Sequence, residues 1–73
     1  MNATGTMLNS FSVSSYYYDN TIAERNSYDN RLDAQMAFAS SARSVMHKTV
    51  RLYGWRGDDE ENAILLDESW TPR

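Results

Sequence analysis

The amino-acid sequence predicts a small, mostly α-helical domain over residues 16–73, with one long central helix over about residues 31–53, flanking short helices and a mobile N-terminal arm over residues 1–15. Three observations predict it. Apolar residues recur at helical spacing from Leu32 to Tyr53, capping residues stand at both ends of that stretch, and residues 1–18 carry no charged side chain.

The first 15 residues, MNATGTMLNSFSVSS, are mostly Ser, Thr and Asn, with Met7, Leu8, Phe11 and Val13 scattered among them. Only Phe11 and Val13 alternate as a strand requires, so the segment reads as a disordered or loosely docked arm. Tyr16, Tyr17 and Tyr18 follow it, and they suit either an aromatic lid over the domain edge or an adhesive surface. Thr21-Ile22-Ala23-Glu24 fits the capping box, which predicts a short first helix ending near Ser27 or Tyr28, where Asn26, Ser27, Asp29 and Asn30 compete with the helical backbone.

The central helix has the strongest pattern. At about 100° per residue from Leu32, Met36, Ala39, Met46, Val50 and Tyr53 fall on one side and Ala34, Phe38, Ala42, Val45 and Leu52 fill the adjoining arc. Asp33, Ser40, Ser41, Ser44, His47, Lys48 and Arg51 collect opposite. Asp29 or Asn30 can cap the start, and Gly54 can supply a left-handed stop. On this reading Met46→Asp unfolds the domain, because it sets a carboxylate on the buried face. After the connection Gly54-Trp55-Arg56-Gly57, Asp58 with Glu61 three residues on predicts a third helix, its apolar side formed by Ala63, Ile64, Leu66 and Trp70. A competing α+β reading pairs Thr49 to Trp55 with Ala63 to Asp67 as a C-terminal hairpin, since both segments also suit strands.

Composition narrows the function. Leu, Ile, Val and Phe number only 12 of 73 residues, so the core is small and help from a partner is expected. Without cysteine there is no disulfide framework and no thiolate zinc site. The longest apolar run, Ala63-Ile64-Leu65-Leu66, is far too short to span a bilayer, and the N-terminus lacks the pattern of a signal peptide. A soluble, cytoplasmic chain is expected. Ser44 and His47 lie three apart, yet no orienting carboxylate or oxyanion hole accompanies them, so the reading is of no enzyme, no catalytic residue, no metal and no cofactor.

Charge is segregated. Arg43, Lys48, Arg51 and Arg56 form a block without acids, followed by Asp58, Asp59, Glu60, Glu61, Asp67 and Glu68 against Arg73 alone. On a helix, Arg43, His47 and Arg51 would share one face, with Lys48, Trp55 and Arg56 extending it into a nucleic-acid patch. Gly54-Trp55-Arg56-Gly57 also has the glycine spacing of a KH-type loop. The net charge of −3 and the acidic neighbour oppose phosphate binding, so a protein-binding module is the stronger reading. Its expected contact residues are Met7, Leu8, Phe11 and Val13 of the arm with Arg43, Lys48, Arg51, Trp55 and Arg56.

The opening MNATGTMLNSF, the length and the cysteine-free acidic composition resemble the small RNA-polymerase-binding transcription regulators of lytic bacteriophages. That resemblance implies a factor that binds host RNA polymerase in the host cytoplasm and inhibits sigma-dependent initiation, with antitermination as a further expected effect. It implies no catalytic residue and no cofactor; separately, a monomer without a membrane partner is expected, and direct DNA contact is not, because the acidic segment beside the basic block opposes phosphates. The expectation for the arm is that it orders on the polymerase, so that deleting residues 1–15 leaves the fold intact and weakens the complex.

Overall fold

The computed structural model describes residues 8–70 and shows an α+β domain, one four-stranded antiparallel sheet with a single α-helix on one face. The elements run β1 (Ser10–Tyr16), β2 (Ile22–Tyr28), α1 (Arg31–Ala42), β3 (Thr49–Trp55), a 3-10 turn (Glu60–Asn62) and β4 (Ile64–Trp70). The strands lie in the order β2-β1-β3-β4. The mostly helical expectation is therefore corrected, and the C-terminal hairpin takes its place, with Val50 opposite Ser69 and Leu52 opposite Asp67.

The expected mobile arm becomes, from Ser10 onward, the central strand β1, paired with β2 on one side and β3 on the other. Its sequence Ser10-Phe11-Ser12-Val13-Ser14 alternates apolar and small polar residues. Phe11 and Val13 thus point to the helix and Ser12 and Ser14 to the other face, and all four are buried. Met7 lies outside the described residues.

The first predicted helix is absent. Asp19 binds Thr21 twice, accepting from its backbone N–H at 3.0 Å and its hydroxyl at 2.6 Å, while Asn20 takes φ 71° and the Tyr17 N–H donates to the Thr21 carbonyl at 2.9 Å. These bonds make residues 17–21 a hairpin turn between β1 and β2, with Asn in the left-handed position it tolerates best after glycine. Thr21 serves the turn rather than a helix cap.

The central helix is real but shorter than its periodicity suggested. Asn30 caps it by accepting from the Asp33 N–H, and it stops at Ala42. The last turn tightens, with the N–H groups of Arg43 and Ser44 bonding the carbonyls of Ser40 and Ser41 three residues back, and the Ser44 hydroxyl then accepts from the Met46 N–H at 3.2 Å. From Val50 the pattern has period two, with Val50, Leu52 and Gly54 buried and Arg51 and Tyr53 half-exposed. A broad apolar arc accommodates both periods. The β-branched pair Thr49-Val50 and the register with β1 favour the strand.

Helix orientation differs too. Ala34, Ala37 and Phe38 face the sheet, where they pack with Phe11, Val13, Val50 and Leu52, and Leu8, Tyr28 and Leu66 border the same cluster. Leu32 and Met36, expected inside, are 62% and 63% exposed. Met46, in the connection to β3, is 63% exposed, so Met46→Asp should leave the thermal midpoint within a few degrees of the parent, a change of about 0.5 kcal/mol or less. Loss of the folded state in that variant would contradict the strand assignment of residues 49–55.

Gly54 lies within β3 and does not end a helix; the left-handed glycine is Gly57, at φ 54°. The predicted third helix shrinks to the 3-10 turn before β4, whose extended chain completes the hairpin.

Candidate functional site

The helix covers one face of the sheet, and among the described residues no second layer covers the other. On that open face β1 contributes Ser10, Ser12, Ser14 and Tyr16, which the register sets beside Arg25 and Ser27 of β2 and Thr49, Arg51, Tyr53 and Trp55 of β3. Small serines on the central strand between longer side chains on its neighbours make a trough. Its deepest part is a cavity of about 230 Å³ lined by Ser12, Ser14, Tyr16, Arg25, Tyr53 and Trp55, with Ile22, Glu60 and Ala63 at its margin.

The turn at Glu60–Asn62 folds back over this cavity. Arg25 Nη2 donates to Glu60 Oε2, an ion pair that joins β2 to the β3–β4 connection across the trough, and both side chains are about half exposed. The connection is held from below by the segment before β1: Gly57 N–H donates to Asn9 Oδ1 at 2.8 Å and Asn9 N–H to the Trp55 carbonyl at 3.1 Å. Ser12 is 1% exposed, and its hydroxyl has no hydrogen-bond partner among the described residues.

Beside the cavity, toward β4, the face is closed by a chain of paired groups. The Arg51 guanidinium lies over the Tyr16 ring at 5.2 Å and donates through Nε to Glu68 Oε2 at 2.7 Å. Trp70 Nε1 donates to Glu68 Oε1 at 2.8 Å, and the Lys48 ammonium stands 5.8 Å from the Trp70 ring centre while reaching Asn20 Oδ1 at 3.3 Å. The hydrogen bond from Arg51, then that from Trp70, holds the Glu68 carboxyl below its ordinary value, and the same bond to Glu68 raises the Arg51 guanidinium. Asp19 is lowered by the Thr21 hydroxyl and N–H.

A pH dependence follows. Glu68 binds its proton more weakly folded than unfolded, so its contribution is complete above the ordinary value of 4.5 and disappears as pH falls through the lowered folded value. Asp19 acts in the same direction from 3.8 downward. The thermal midpoint should therefore decline as pH is taken below about 4.5, and Glu68→Gln should flatten that decline. An identical acid limb in the variant would remove Glu68 from the account.

The residues expected to meet a partner are dispersed by the fold. Phe11 and Val13 are core residues that present no free side chain to a partner, and Leu8 packs against them half-buried. The helical stripe of Arg43, His47 and Arg51 does not exist: Arg43 is the exposed C-cap of α1, His47 sits in the following turn with Nδ1 3.3 Å from the Ser41 carbonyl, and Arg51 is on β3. Arg56 is exposed beyond the end of β3, and Trp55 is 8% exposed in the cavity wall. Lys48, Arg51 and Trp55 do share the open side of the sheet. The KH-like glycine pair straddles the end of a strand, with Gly54 inside β3 and Gly57 in the turn beyond, rather than linking two helices.

Arg25, Ser12, Ser14, Tyr53 and Glu60 were missed. The available signal was the alternation Ser-Phe-Ser-Val-Ser, which sets three serines on one face of any strand it forms. Among the described residues no helix is long and apolar enough to cross a membrane. No family model matches the chain, and no curated protein or solved structure is detectably similar to it.

Proposed function

We propose that this protein is a non-enzymatic transcription regulator of the lytic-phage type, which binds host RNA polymerase in the host cytoplasm, inhibits sigma-dependent initiation and promotes antitermination. The resemblance of its opening segment, length and composition supplies the class. The observation that carries a protein partner over nucleic acid is electrostatic: on the open face Arg25 is paired with Glu60 and Arg51 with Glu68. A phosphate backbone approaching these guanidiniums meets the carboxylates as well, in a chain of net charge −3. A protein surface can offer acid to the cations and base to Asp58, Asp59 and Glu61 together, which orients the encounter more than it strengthens it.

The test uses purified polymerase. The protein should co-elute with it, cross-link through the open face, reduce run-off transcript from a sigma-dependent promoter, and bind more weakly as salt rises past about 0.15 M. A gel shift of bare promoter DNA by the protein alone at that salt, without binding to polymerase, would transfer the function to nucleic acid. Stacking of bases on Tyr16, Tyr53 and Trp55 would then be its basis.

A further inference from the structure

We propose that the serine-floored trough is a receptor for an extended acidic peptide segment of the partner, and that Glu60 is the internal occupant it displaces. The inference rests on the polymerase reading for the source of the segment and on the geometry for its chemistry. Three features define that chemistry. The floor is two buried serines, one of them, Ser12, with a hydroxyl unsatisfied among the described residues and facing the cavity. Such a hydroxyl is unfavourable to bury alone and ready to bond an amide or carboxylate. The walls, Tyr16, Tyr53 and Trp55, supply flat apolar surface for a side chain of the occupant.

The third feature is the cation at the margin. Arg25 already holds a carboxylate, so the site is built for one, and that carboxylate comes from the turn connecting β3 and β4, not from the strand beside Arg25. Both partners are about half exposed, and an exposed pair of this kind is weak enough for an incoming carboxylate to replace. Released Glu60 then joins Asp58, Asp59 and Glu61 in an acidic turn free to meet basic groups of the partner. One exchange would thus expose both signs of charge. A nucleic acid strand suits the trough less, because its phosphates recur along the whole strand and would meet Glu68 as well as Glu60, whereas one peptide carboxylate need only replace Glu60 at Arg25.

The experiment has two arms. In the first, polymerase affinity is measured for the parent, Arg25→Ala, Glu60→Gln, Ser12→Ala and the distant control Arg43→Ala. Arg25→Ala should weaken binding about tenfold, and Glu60→Gln should tighten it about threefold by removing the competitor. Ser12→Ala should weaken binding while leaving the melting temperature unchanged or raised, which a merely structural serine would not do. In the second arm, amide resonances of the labelled protein are followed on addition of a hexapeptide of alternating Glu and Val, or of its Gln counterpart. Shifts at Ser12, Ser14, Arg25 and Tyr53 with the Glu peptide only, lost in Arg25→Ala, are expected.

Failure of the parent to bind polymerase, with the peptide shifts present, would overturn the polymerase reading and leave the receptor standing. Polymerase binding by Arg25→Ala and Glu60→Gln equal to the parent's, with no such peptide shifts, would overturn the receptor. Equal shifts with both peptides would overturn its acidic specificity.

Discussion

A chain lacking residues 1–15 should fail to fold. The deletion removes nearly all of β1, and β1 is the only strand that pairs with both β2 and β3 among the described residues. Without it β2 has no neighbour, the β3–β4 hairpin loses its inner partner, and an isolated two-stranded hairpin is marginal in water. Phe11 and Val13 leave the core with it, where they meet Ala34, Val50 and Leu52. A single core in a chain of this size supplies roughly 3–5 kcal/mol in all, so no folded remainder is expected. Circular dichroism of the truncated chain should show coil without a cooperative melt, where the parent should melt in one transition. A sigmoidal melt retained after the deletion would show that the sheet closes without its central strand. The result also bears on any binding test, since lost affinity in such a truncation reports lost structure and says nothing of contact by the arm.

The contrast with the sequence-based expectation lies in how each signal was weighed. The capping residue Asn30 and the start of α1 were legible, because caps act locally. What misled was the width of an apolar arc. Residues 31–53 satisfy a helical period only because that arc includes more than half the circle, and the same residues from Val50 onward satisfy a period of two. Choosing between them requires knowing what Val50 and Leu52 pack on, and they lie opposite Ser15 and Val13, more than 30 residues away in the chain. A non-local pairing of that kind leaves no local mark.

The same reason hid the trough. Three serines at alternate positions look like a polar tail when β1 is read alone and become a floor only when taller residues of β2 and β3 flank them. The charge blocks were visible, but their pairing was not: Arg25 finds Glu60 across 35 positions and Arg51 finds Glu68 across 17. The helical face expected to join Arg43, His47 and Arg51 is broken up, because Arg43 caps α1, His47 lies in the following turn and Arg51 stands on β3.

Phe11→Ala should cost about 3–5 kcal/mol, comparable to the whole stability of a domain this size, and Gly54 explains why the phenylalanine is so tightly held. Phe11 is 2% exposed and lies opposite Gly54 in the β1–β3 register. A Cβ built on Gly54 would come within 3.2 Å of Phe11 Cδ1 and within 2.9 Å of both Leu8 Cδ1 and Leu66 Cδ1. The absent side chain is thus the space into which three apolar groups converge. Gly54→Ala should destabilise through overpacking by only about 1 kcal/mol, because the partly buried Leu8 and Leu66 side-chain ends can give way while the buried Phe11 ring has less room to move. The two changes share one volume, so their effects should not add. In the double variant the alanine methyl meets a vacated ring position, and the combined loss should fall short of the sum by about 1 kcal/mol. For a domain of this length about 1 kcal/mol is worth roughly 4–8 °C in the melting temperature, so the shortfall is measurable if the series is made in a stabilising salt or with Phe11→Leu as the milder partner. Strict additivity of the two changes would mean that Gly54 is required by the strand backbone itself and not by the ring across from it.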